Sequence, residues 1–169
     1  QDAVTVRSAF KVSGAFCLDA GGELVWFKNP GAAIDASTPW PEFVITEYPL
    51  SATGPDITLD VADLEGDGVV EIVATAFFLT EAIQLYGAPV GDSDWSGVKT
   101  TTNPPRIAPL SSDQGRPFSV SFADLNRDGK QDVLATNHQS DGCYPRTQDV
   151  IPGRIYALEQ PASGDIFND

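Results

Sequence analysis

The chain has 169 residues, 41% of them hydrophobic, and a formal net charge of −14. Its length suggests one domain with enough apolar residues for a packed core. The charge excludes a basic nucleic-acid footprint, and no run approaches the ~18 apolar residues of a membrane helix. Met is absent, so Gln1 is expected to follow processing or to lie within a longer polypeptide.

In chain order, Gln1-Asp2-Ala3-Val4 opens on the same pattern as Gln131-Asp132-Val133-Leu134. LVWFKNP (24–30) predicts a strand ended by a proline, which cannot continue a ladder. A tryptophan-led segment follows, PWPEFVI (39–45). ITLDVA (57–62) alternates as a half-buried strand does. It runs into the acidic loop DLEGDGVVE (63–71), and IVATAF (72–77) predicts a buried strand after it. IQLYGAP (83–89) repeats the proline-ended strand and DWSGVKT (94–100) repeats the tryptophan-led one. TTNPPRIAPLSSDQGRP (101–117) reads as a long connection. The grid then recurs as FSVSFA (118–123), the loop DLNRDGKQD (124–132), VLATN (133–137) and IYALEQP (155–161). The chain reaches DIFND (165–169) where a further tryptophan-led strand is expected.

Short alternating strands punctuated by Gly, Pro and Asp predict an all-β fold. The strand count is three, then four, then three. The expected units are 1–50, 51–110 and 111–169, the first and last partial. Four-stranded repeats of this length predict antiparallel blades of β-propeller type, about two and three-quarter of them. A ring needs ~4–8.

The two nine-residue loops lie 61 positions apart and hold seven of the 24 acidic residues. Oxygen-bearing side chains at alternate positions, then a glycine and a final carboxylate, suit a hard cation such as calcium. Magnesium is disfavoured by its strict octahedral shell, and an EF-hand by the strand flanks and the missing glutamate at position twelve. The alternative to metal sites is a pair of metal-free polar turns.

The pattern D-x-[D/N]-x-D-G-x-x-D between two strands resembles the FG-GAP/VCBS repeat, known from integrin α-subunit propellers and many secreted propeller proteins. The resemblance implies metal ligands at loop positions one, three, five and nine, with the backbone carbonyl at seven. In the first loop these are Asp63, Glu65, Asp67, the Val69 carbonyl and Glu71. In the second they are Asp124, Asn126, Asp128, the Lys130 carbonyl and Asp132. The second loop fits throughout. The first departs at Glu65 and Glu71, where an added methylene moves the carboxylate outward. Gly68 and Gly129 hold the glycine position. Two Ca2+ sites are expected, structural in role, with the 124–132 site the tighter.

No catalytic residue is expected. His138 is the single histidine, and neither a nucleophile elbow, a metal-binding His pair nor a phosphate-cradling loop is present. Cys17 and Cys143 are each expected between the second and third strands of their units; a disulfide between them, free thiols and bridges to other chains all remain open. Trp26, Trp40, Trp95, Tyr86, Tyr144 and Tyr156 are either sugar-stacking or packing residues. The expected protein is a secreted, extracellular, non-enzymatic module that binds a protein or glycan or assembles with itself or with the remainder of a longer chain. Neither nucleic acid nor membrane insertion is expected. The alternatives are a lectin and the propeller fragment of a larger carbohydrate-active lyase or dehydratase.

Overall fold

A computed structural model describes residues 2–13, 17–33, 37–48, 55–77, 82–99, 101–111, 115–138, 152–161 and 166–167. Their strands form three antiparallel sheets. The first contains β1 (Ala3–Ser13), β2 (Cys17–Phe27) and β3 (Glu42–Tyr48) in that order. The second contains β4 (Leu59–Ala62), β5 (Glu71–Ala76), β6 (Ala82–Gly87) and β7 (Arg106–Ser111). The third contains β8 (Arg116–Ala123), β9 (Asp132–His138) and β10 (Arg154–Leu158). The only helical pieces among the described residues are 3-10 turns at Gly31–Ala33 and Trp95–Gly97. The architecture is therefore all-β, with three strands, four strands and three strands, and no closed ring among the described residues.

The second sheet is sandwiched between the other two, and the period of β structure shows it. Every residue of β5 is buried, because successive side chains leave a strand on opposite faces. Ile72 and Ala74 join Leu24, Trp26 and Ile45 of the first sheet, together with Tyr86 and Trp95. Val73 turns the other way and joins Ile83, Leu85 and Ala108 against Val120, Val133 and Ala135 of the third sheet. Each fully buried Ile or Leu contributes about 1.5–3 kcal/mol relative to exposure. Polar bonds also tie the sheets. Asp60 on β4 accepts from the Phe122 N–H at 2.8 Å and from Ser121 Oγ at 3.0 Å, both on β8.

Three sequence expectations need correction. The strand placed at 94–100 is absent. Asp94 Oδ1 instead accepts from the Ser96 N–H at 2.8 Å and caps the short turn, while the Trp95 indole donates to the Val70 carbonyl at 3.0 Å. Trp95 is thereby a core plug, and the fourth strand begins only at Arg106, after two prolines that cannot donate to a ladder. The segment 101–117 is therefore not a plain connection. Cys17 opens β2, paired in register with Ser13, so it lies in a strand and not between strands. Cys143 and Tyr144 lie outside the described residues, and with Cys143 any pairing to Cys17.

Candidate functional site

Both acidic loops are wired by their own backbone amides. In the first, Asp63 Oδ1 accepts from the N–H groups of Gly66 and Asp67 at 2.8 and 3.1 Å, and Oδ2 from Gly68 at 3.0 Å. In the second, Asp124 Oδ1 and Oδ2 accept from Asp128 and Gly129, each at 3.1 Å. The fifth position then holds the seventh: Val69 N–H donates to Asp67 at 2.8 Å and Lys130 N–H to Asp128 at 2.9 Å. The ninth closes back on the second, with Leu64 N–H donating to Glu71 at 2.7 Å and Leu125 N–H to Asp132 at 3.1 Å.

This path needs two left-handed residues per loop. Gly68 and Gly129 have φ of 87° and 90°. The second requirement falls at position four, where the first loop has Gly66 (φ 72°) and the second has Arg127 (φ 64°). Sequence reading found the glycine at position six and missed position four. Aligning the two loops offers the signal, a glycine facing an arginine.

The side chains at positions three and nine separate the loops. In the second, Asn126 Oδ1 accepts from the Asp128 N–H at 3.0 Å, and its amide donates to Asp128 Oδ2 at 3.2 Å and Glu159 at 2.9 Å. Asp132 is 2% exposed, and its Oδ1 accepts from the Gln160 N–H at 3.1 Å. The Lys130 ammonium turns away to the Pro161 carbonyl at 2.5 Å. Among the described residues, no cationic side chain pairs with Asp124, Asp128 or Asp132.

In the first loop, Glu65 forms a bidentate pair with Arg106 of β7, at 2.9 Å from Nη1 and 2.6 Å from Nη2. Glu71 is fully buried and its Oε1 has no hydrogen-bond partner. Burial pushes its carboxyl up to about 7, against the pull of the Leu64 N–H. Arg106 was not among the residues singled out from the sequence.

As the side chains stand, no three acidic, histidine or cysteine groups among the described residues converge closely enough to hold a metal. The donor chemistry of 124–132 nevertheless fits a hard cation. Positions one, three, five and nine all carry oxygen-bearing side chains, and the loop is shaped by amides and not by cations.

Trp26, Trp95 and Tyr86 resolve into packing. Trp26 and Trp95 are 3% and 2% exposed and Tyr86 is fully buried, so none is open to a sugar ring. Trp26 Nε1 donates to Asp2 Oδ2 at 3.1 Å, and the Tyr86 hydroxyl meets that of Tyr48 at 2.9 Å. Trp40 and Tyr156 are half-buried. His138 ends β9 with its ring beside Phe77 and Phe118, at 6.1 and 6.2 Å between centroids.

Stacked antiparallel sheets of three and four strands, with an acidic loop turning the first strand of a sheet into the second, define a protein of β-propeller-blade type. Residues 117–158, which span the third sheet and the second loop, match the family model of the FG-GAP repeat. No curated protein and no solved structure matches the chain.

Proposed function

We propose that the chain is a non-enzymatic, secreted module that holds calcium at 124–132 and uses its loops and sheet faces for binding or assembly. The observation that carries the reading is the second loop itself. It gathers Asp124, Asn126, Asp128 and Asp132 on a backbone shaped by amides, with no cationic side chain among the described residues to balance three carboxylates. A cation converts their mutual repulsion into a stable strand connection. Asp124, Asn126, Asp128, the Lys130 carbonyl and Asp132 would hold it. The ion would act on structure, fixing the turn from β8 to β9. The test is thermal unfolding with calcium and with chelator. Calcium is expected to raise the melting temperature, and identical curves would reject the reading.

Self-assembly is the second reading, and the repeat supports it. Ser119, Leu134, Thr136, Ile155 and Ala157 alternate with the residues that face the second sheet and so stand on the outer face of the third sheet. Their counterparts in the second sheet are Thr58, Val73, Thr75, Ile83 and Leu85. Val73, Ile83 and Leu85 are the residues that the third sheet covers. Ile155 is 73% exposed where Ile83 is fully buried. We assign this face to the sheet of a second copy, in a head-to-tail contact. Light scattering on the chain and on Ile155→Asp tests it. Association lost in the variant is expected, and a monomeric parent chain at high concentration would reject it.

A further inference from the structure

We propose that Arg106 takes the place of a cation in the 63–71 loop, so that an internal ion pair holds this loop and calcium binds at 124–132 alone. The proposal starts from the two departures of the first loop. Positions three and nine are Glu65 and Glu71, where the second loop has Asn126 and Asp132. Both longer side chains run to one guanidinium. Arg106 grips Glu65 with two bonds and places Nη2 3.8 Å from Glu71 Oε1. The arginine is itself fixed, because Nε donates to the Ala88 carbonyl at 2.8 Å and the guanidinium lies 4.2 Å from the Phe167 ring centre. A planar, permanently charged fork suits this task better than a point charge.

The ninth position gives an independent argument. In the first unit, Asp2 Oδ1 accepts from the Asn29 N–H at 2.8 Å. In the third, Asp132 Oδ1 accepts from the Gln160 N–H at 3.1 Å. Asn29 and Gln160 are matching residues, each just before the proline that ends its strand motif. The match in the second unit is Ala88, and there the pattern breaks. Glu71 Oε1 accepts no hydrogen bond, although it is fully buried, and it faces Arg106 instead. Arg106 takes the Ala88 carbonyl on the same strand end. A buried carboxylate oxygen without a hydrogen bond is costly unless a charge answers it. Arg106 is that charge. A calcium ion at this loop would have to pull Glu65 from the fork and lie beside a fixed positive group. Arg106, Glu65 and Asp67 also line one cleft of about 260 Å³, so a shorter neutral residue at 106 leaves room there.

The proposal rests on the calcium reading of 124–132, and the experiment separates the two. Bound calcium is counted by native mass spectrometry and calorimetry in the parent chain, Asp128→Ala, Arg106→Gln and the double variant. The expected counts are one, none, two and one. Two ions in the parent chain, or one retained in Asp128→Ala, would overturn the role of Arg106. No ion in the parent chain would overturn the calcium reading of 124–132, and unfolding in chelator then decides the arginine. Arg106→Gln is expected to melt below the parent chain, and Glu65→Gln/Glu71→Gln/Arg106→Gln to recover part of the loss. A triple variant no more stable than Arg106→Gln would show that the arginine answers no loop charge.

Discussion

In the 63–71 and 124–132 loops the first aspartate gathers the amides of positions five and six, the fifth residue holds the seventh, and the ninth closes on the second. Their charge balance differs. The first loop has four carboxylates with a guanidinium against them, while the second has three and no paired cation among the described residues. One backbone design thus meets the same electrostatic problem in two ways, with a side chain from the fourth strand of its own sheet or, as proposed, with an ion from solution. The backbone of such a turn does not reveal which solution it uses; the residues at positions three and nine do.

The largest test removes the fifth position from each loop. In saturating calcium, Asp128→Ala is expected to lose the linkage stabilisation of a bound ion, about 3–4 kcal/mol at 100–1,000 times Kd. In chelator it should lose only its hydrogen bonds, about 1 kcal/mol. Asp67→Ala should lose roughly the latter amount in either condition. Urea unfolding with and without chelator measures all four values. A calcium-dependent loss in Asp67→Ala would erase the distinction between the loops.

The next test asks whether the shared wiring is shared in energy. An added Cβ meets nothing within 4 Å at Gly68 or Gly129, so alanine there suffers only from φ of 87° and 90°. Each substitution should cost about 1–2 kcal/mol, and the two costs should agree in chelator. Position four supplies the reverse experiment. Arg127 sits at φ 64° where Gly66 sits at 72°. Arg127→Gly should therefore stabilise the protein by about 0.5–1 kcal/mol, the strain relieved exceeding the added chain entropy. A loss of stability would mean that the Arg127 side chain does more in its loop than the backbone geometry reveals.

Much of this was legible in the sequence, for physical reasons. A loop wired through bonds between residues two to seven positions apart leaves a local pattern, and so do strands of period two ended by proline. The three-sheet arrangement follows from those alone. Arg106 left no pattern, because it meets Glu65 across 41 positions and acts only once β6 and β7 are paired. The strand containing it was masked by Trp95, whose recurrence resembled that of Trp40. One side-chain cap, Asp94 on the Ser96 amide, is enough to turn that segment into a 3-10 turn and delay the strand.

The smallest expected effect gives the comparison its calcium-free baseline. Lys28 of the first sheet's trailing segment donates to Asp94 at 2.6 Å, tying the first sheet to the connection between β6 and β7. Lys28, and then the Ser96 hydroxyl and amide, lower the Asp94 carboxyl from 3.8 to about 2. A folded-state value below the unfolded one means that the unfolded chain binds the proton first. The contribution is therefore complete above pH ~4 and is lost as the pH falls towards 2. Both side chains are partly exposed, at 45% and 32%, so the pair should contribute only about 0.2–1 kcal/mol. Asp94→Asn should flatten that part of the acid profile equally with calcium and with chelator. Acid should also release calcium from the 124–132 loop, and that loss should vanish in chelator. Subtracting the profiles isolates the second loop. If Asp94→Asn changes the calcium-dependent part as well, the connection carrying Asp94 and the 124–132 loop are coupled through the stacked sheets, and the two loops are not independent solutions.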